Sequence, residues 1–75
     1  MDARPRKRSL TLRGHRTSVS LEDRFWSELQ ALAEARGQSV NALVAEIDAA
    51  RGVSAGLASA IRVFVLDQVK TTAER

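Results

Sequence analysis

Six cations, Arg4, Arg6, Lys7, Arg8, Arg13 and Arg16, stand against the single anion Asp2 within residues 1 to 16. Side chains of this type and density attract polyanions, and nucleic acid is the commonest polyanion a protein meets. Residues 17 to 75 hold eight anions against six cations, so the whole-chain charge of +3 conceals a strong positive potential at one end. The rest of the inventory argues against catalysis. His15 is the one histidine and cysteine is absent. The acidic residues fall at water-facing helix positions, and no hydroxyl has a base close to it in sequence, which leaves little for nucleophilic or acid–base chemistry. A zinc cluster and a glycine-rich phosphate loop are both missing, so no enzyme, cofactor or metal is expected.

The elements that must position the cations follow from periodicity. Residues 1 to 8 combine a proline with dense charge and no apolar pattern, which predicts a disordered basic arm. From Ser9 onward the pattern becomes a domain, expected over residues 9–70, with a short tail at 71–75. Leu10 and Leu12 alternate with Ser9, Thr11 and Arg13. After Gly14-His15 the run Arg16-Thr17-Ser18-Val19-Ser20-Leu21 alternates again, predicting a strand with Thr17, Val19 and Leu21 on one face and Arg16, Ser18 and Ser20 on the other.

From Glu22 the period turns helical. Phe25, Leu29, Leu32, Ala33 and Arg36 share a face, Trp26 flanks it as a core aromatic, and Gly37 ends the helix. Ser20 with Asp23 also fits a capping box at the start of this helix, which would compete with an outward role for Ser20. Ser39 caps a second helix expected over Val40 to Ala50, with Val40, Leu43, Val44 and Ile47 inward and Gly52 as its terminator. A third helix is expected from about Ala55 to Val69, with Ser54 as its cap. Its stretch Ile61-Arg62-Val63-Phe64-Val65-Leu66 is apolar nearly all round and must find cover in the core or in a dimer.

Size sharpens this. A chain of 75 residues builds one domain with a marginal core, and without cysteines or a metal the remaining supplement is a second copy. A lone ribbon is also marginal. Pairing of the Arg16–Leu21 strand with its equivalent in a second chain answers both needs, the alternative partner being the weaker Leu10–Leu12 segment. No run of about 20 apolar residues is present, so no membrane span is expected. Residues 1 to 16 lack the apolar core of an export signal, which places the protein in the cytoplasm as an expectation.

The order strand, amphipathic helix, Gly-x-Ser turn and second helix, with Gly37-Gln38-Ser39-Val40-Asn41 at the turn, resembles the ribbon-helix-helix family of Arc- and MetJ-like repressors over residues 16 to 50. Gly14-His15-Arg16-Thr17-Ser18-Val19-Ser20-Leu21-Glu22, Phe25-Trp26 and Ser59-Ala60-Ile61-Arg62-Val63-Phe64 together look like a bacterial subgroup of that family, across nearly all of the chain. The resemblance implies a mostly α fold: a ribbon-helix-helix homodimer with a short intermolecular antiparallel ribbon and an extra C-terminal helix. It also implies duplex DNA as the partner and transcriptional regulation as the role, with Arg16, Ser18 and Ser20 against base edges in the major groove. Ser39, Val40 and Asn41, at a helix N-terminus, would hold phosphate together with Arg13, while Arg4, Arg6, Lys7 and Arg8 would add non-specific attraction.

Two features depart from the family pattern. Arg51-Gly52-Val53-Ser54 interrupts the second helix, and two of the three outward strand positions are serine. The third helix therefore either completes a dimer core or docks another protein, and the second option defines an alternative reading as an antitoxin-like or adaptor module.

Overall fold

A computed structural model describes residues 3–51 and 56–73. Its order is β1 (Arg6–Leu12), β2 (His15–Leu21), α1 (Asp23–Ala35), α2 (Val40–Ala50) and α3 (Leu57–Ala73). The two strands pair antiparallel as a hairpin within one chain, from Arg6 opposite Leu21 to Leu12 opposite His15. The partner of the Arg16–Leu21 strand is thus the chain's own N-terminal segment, where the sequence suggested a second chain.

Two local causes explain this correction. Arg13 and Gly14 form a two-residue turn with φ of 52° and 83°. Two positive values are the signature of a type I′ turn, whose twist matches that of a hairpin and whose closure costs little because the loop is minimal. Arg8, one of the charged residues expected to be disordered, is then fastened in place. The Arg8 guanidinium donates to the Leu21 carbonyl at 3.3 and 3.2 Å and to the Asp23 carboxylate, and lies 5.2 Å over the Trp26 ring. Arg6 through Arg8 therefore continue the strand rather than the arm.

One face of the hairpin is apolar and sits on the helices. Leu10, Leu12, Val19 and Leu21 form a single buried cluster with Leu29 and Ala33 of α1, Leu43, Val44 and Ile47 of α2, and Ile61 and Val65 of α3. Phe25, Trp26 and Leu32 pack against this cluster from its margin. The α1–α2 corner is a Schellman motif. Gly37, at φ 68°, donates to the Glu34 carbonyl at 3.0 Å, and Gln38 donates to Ala33 at 2.9 Å. The Ser39 hydroxyl accepts from the Ala42 amide at 3.0 Å, so the expected cap of α2 is present. The N-cap of α1 is Glu22, whose side chain caps no amide of the first turn, and Ser20 stays in β2 and makes no capping box. The proposed stop at Gly52 and cap at Ser54 lie outside the described residues. Helix α3 runs on through Ala73, past the expected boundary at residue 70.

Arginines clamp the helices to one another and to the hairpin. Arg36 lies 5.1 Å over Phe64, tying the end of α1 to α3. Arg62 of α3 donates to the Glu22 carboxylate at 2.9 Å and to the Ser20 carbonyl at 3.4 Å, 5.9 Å over the Phe25 ring. A hydrogen bond from its own backbone amide and then the Arg62 guanidinium hold the Glu22 carboxyl below the usual carboxylate range. A depressed pKa means a contribution to stability that is complete above the unfolded value of about 4.3 and disappears as pH falls through the lower folded value. Glu22→Gln should therefore melt below the wild type at pH 7, and the gap should close as the buffer is taken below about pH 4. A gap that persists at pH 2 would exclude ionisation as its source.

Candidate nucleic-acid interface

Residues directly opposite in an antiparallel pair share a face, and alternate residues of each strand share it too. The register therefore sorts the hairpin into two surfaces. Arg6 with Leu21, Arg8 with Val19, Leu10 with Thr17, and Leu12 with His15 fall on the helix-ward side, where Leu10, Leu12, Val19 and Leu21 are buried while Arg6, His15 and Thr17 stay exposed. Lys7 with Ser20, Ser9 with Ser18, and Thr11 with Arg16 face outward, and all six are exposed.

The expected outward set Arg16, Ser18 and Ser20 is thus brought together on one face. Beside it stand three residues of β1. Lys7 entered the sequence reading only as a non-specific cation, and Ser9 and Thr11 did not enter it as site residues. Their signal was the alternation of Ser9 and Thr11 with Leu10 and Leu12, which needs only a strand partner to become a face.

The remaining cations divide. Arg8, with a side chain only 16% exposed, is turned toward the helices and occupied by Asp23 and Leu21. Arg6 stands 3.7 Å from the same Asp23 carboxylate with its side chain 59% exposed. Arg4 is exposed ahead of β1, and Arg13 is exposed at the tip of the hairpin.

Helix α2 begins alongside this face. The Asn41 carboxamide oxygen accepts from the Thr11 backbone amide at 3.3 Å, placing Ser39, Val40 and Asn41 against the outer edge of β1. With Ala42 capped by Ser39, the amides of Val40 and Asn41 project from the helix start, where the dipole favours an anion. Asn41 thus has a structural duty in addition to any contact with phosphate. Among the described residues no group of three or more His, Cys, Asp or Glu could hold a metal, and no helix is long and apolar enough to cross a membrane.

Arg13 occupies the left-handed region, which costs an ordinary residue roughly 1–2 kcal/mol, whereas Asn-Gly is the preferred pair for this turn. Arg13→Asn should recover part of that strain and raise the melting temperature in a thermal scan. A lower melting temperature would mean that the Arg13 side chain stabilises the turn in a way its backbone does not reveal.

Neither a curated protein nor a solved structure matches the chain. The sequence profile of the ribbon-helix-helix domain matches residues 5–69, a span that takes in both strands, α1, α2 and most of α3. A two-stranded ribbon packed on consecutive helices, matched over that span, makes this chain a member of the ribbon-helix-helix domain family, whose members are generally DNA-binding regulators or antitoxins.

Proposed function

We propose that this protein binds duplex DNA as a homodimer and regulates transcription, with the outward face of the β1–β2 hairpin in the major groove. The observation that carries this reading is the face itself: six exposed polar or basic side chains on a two-stranded ribbon, with the apolar side held by three helices. Arg16 is suited to the two-pronged edge of guanine, and the serine hydroxyls to several bases with less discrimination. Lys7, Arg13 and Arg16 supply charge toward phosphate, Arg4 and Arg6 add to it from the start of the ribbon, and the amides of Val40 and Asn41 fit a phosphate beside β1. Keeping an arginine in the strained position at the tip is consistent with a role for its charge outside folding.

The dimer contact in this reading is α3. Val63, Leu66 and Val69 are 58%, 55% and 43% exposed; Val63 and Leu66 lie on the side of α3 turned away from Ile61 and Val65, and Val69 lies at the flank, one turn beyond Val65. A second copy related by a two-fold axis would bury both stripes together. The same stripe supports the second reading, an antitoxin-like or adaptor module that docks another protein.

Titration of labelled duplex DNA with wild type and Arg16→Ala tests the first reading. The substitution should lower affinity for the preferred duplex more than for random duplex, compressing their ratio by about 1–3 kcal/mol. Unchanged affinity for every duplex in a folded Arg16→Ala protein would remove the hairpin from the groove. Sedimentation separates the partners of α3: Leu66→Glu should turn a dimer into a folded monomer, and a wild type that is already monomeric favours the docking reading.

A further inference from the structure

We propose that Ser9 is a phosphorylation site for an arginine-directed serine kinase, and that a phosphate there switches duplex binding off. The site stands on Ser9 and its surroundings; only the switching rests on the duplex-binding reading.

Charge ahead of the hydroxyl is the first observation. Arg6, Lys7 and Arg8 directly precede Ser9, and no other serine or threonine of the chain follows three consecutive cations. A kinase cleft lined by carboxylates on the N-terminal side of its target selects such a segment by charge. Arg8 is held inward against Asp23, so Lys7 and Arg6, both exposed, are the cations presented.

Conformation is the second. A segment that is already extended docks at low entropic cost, and β1 holds Arg6–Leu12 extended. In a hairpin closed by a two-residue turn, Lys7, Ser9 and Thr11 fall at the positions that make no ladder bond, with backbone groups pointing away from β2. The Thr11 amide shows the direction, since it donates to Asn41 beyond that edge. Lys7 and Ser9 thus offer exposed side chains on one face and main-chain groups along one edge, the arrangement by which an incoming strand adds to a sheet. Ser27 also has an arginine three residues ahead of it, Arg24, but lies within α1 and is not extended.

Position supplies the consequence. Ser9 lies opposite Ser18 in the middle rank of the outward face, with Lys7 two residues before it and Arg16 diagonally across. Diagonal neighbours stand about 7–8 Å apart, within reach of long side chains. A phosphoserine carries about −1.5 to −2 charge and three strong acceptor oxygens, enough to engage both cations and to cancel the positive charge of the face. In the transfer, the Ser9 hydroxyl oxygen bonds to the γ-phosphorus of ATP and the bond from that phosphorus to the β–γ bridging oxygen breaks. ADP leaves with the electron pair, and the hydroxyl proton passes to the kinase's catalytic aspartate.

The test incubates the full chain with magnesium ATP and the catalytic domain of an arginine-directed serine kinase, maps the phosphate by mass spectrometry, and titrates the product against labelled duplex. Wild type should take up a single phosphate, on Ser9, and Ser9→Ala none. The phosphoprotein should keep its helical circular dichroism and bind duplex roughly a thousandfold more weakly near 0.1 M salt. Its salt slope should be about −2 against about −5 for the unmodified dimer, because two of the three cations on each chain no longer displace counterions. Phosphate elsewhere, or none, overturns the site while the unmodified protein still binds duplex. Phosphate on Ser9 with unchanged affinity, or with the fold lost, overturns the switch. An unmodified protein that binds no duplex removes the duplex-binding reading and the switch together, and the peptide map alone then decides the site.

Discussion

Raising the salt from 50 to 200 mM should weaken duplex binding by the dimer about a thousandfold. Each cation brought in among the phosphates, whether it ends on a backbone oxygen or on a base edge within the groove, displaces condensed counterions and adds about 0.9 to the slope of log affinity against log salt. Lys7, Arg13 and Arg16 are exposed on the outward face and tip of the hairpin, whereas Arg8 is held inward by Asp23 and Leu21 and Arg6 is shared with the same carboxylate. Three cations from each of two chains give a slope of about −5, and a fourfold rise in salt then costs about a factor of a thousand. Lys7→Ala should make the slope shallower by about 2 for a dimer, and Arg8→Lys should leave it nearly unchanged. The check is a fluorescence anisotropy titration across the salt range, at fixed temperature well below melting. A slope near zero would point to apolar docking through α3, because burial of Val63, Leu66 and Val69 carries no counterion release.

Ile61→Ala should cost about 2–5 kcal/mol of stability, the usual range for truncating a fully buried isoleucine where the cavity cannot collapse. Ile61 is completely buried, in one cluster with Leu21 of the hairpin, Leu29 of α1 and Leu43 of α2. Small domains hold in total only about 0.05–0.15 kcal/mol per residue, so the loss removes much of the folding free energy of a 75-residue chain. In a urea titration the midpoint should fall with the slope unchanged. Leu66→Ala should shift the monomer's midpoint far less, since Leu66 is 55% exposed and its truncation opens no cavity. Duplex present at a hundred times its dissociation constant should restore about 2.7 kcal/mol to Ile61→Ala, because the ribbon is untouched and only the folded state binds. A loss below about 1 kcal/mol would mean that α3 merely rests on the fold instead of completing its core.

Much of this architecture was legible in the amino-acid order because it rests on local physics. The alternation in Arg16–Leu21 assigned Val19 and Leu21 to the core and Arg16, Ser18 and Ser20 to the outside, as side chains on a pleated strand must alternate. The run Gly37-Gln38-Ser39 marked a helix end and a new cap, since glycine alone enters the left-handed region freely and serine satisfies an orphan amide. Charge counting likewise located the positive end of the molecule.

The partner of the strand was decided by tertiary structure. Composition reads Arg6-Lys7-Arg8 as solvated charge, and nothing local to those residues says otherwise. Only when Asp23, Trp26 and the Leu21 carbonyl converge on Arg8 does the segment become a strand, and those groups lie 13 to 18 positions away along the chain. The division of the apolar third helix followed the same logic. Its sequence shows apolar residues nearly all round, and which of them meet the core depends on how α3 crosses α1 and α2: Ile61 and Val65 inward, Val63, Leu66 and Val69 left to the surface. Periodicity fixes a face relative to its own axis, and packing alone chooses what that face meets.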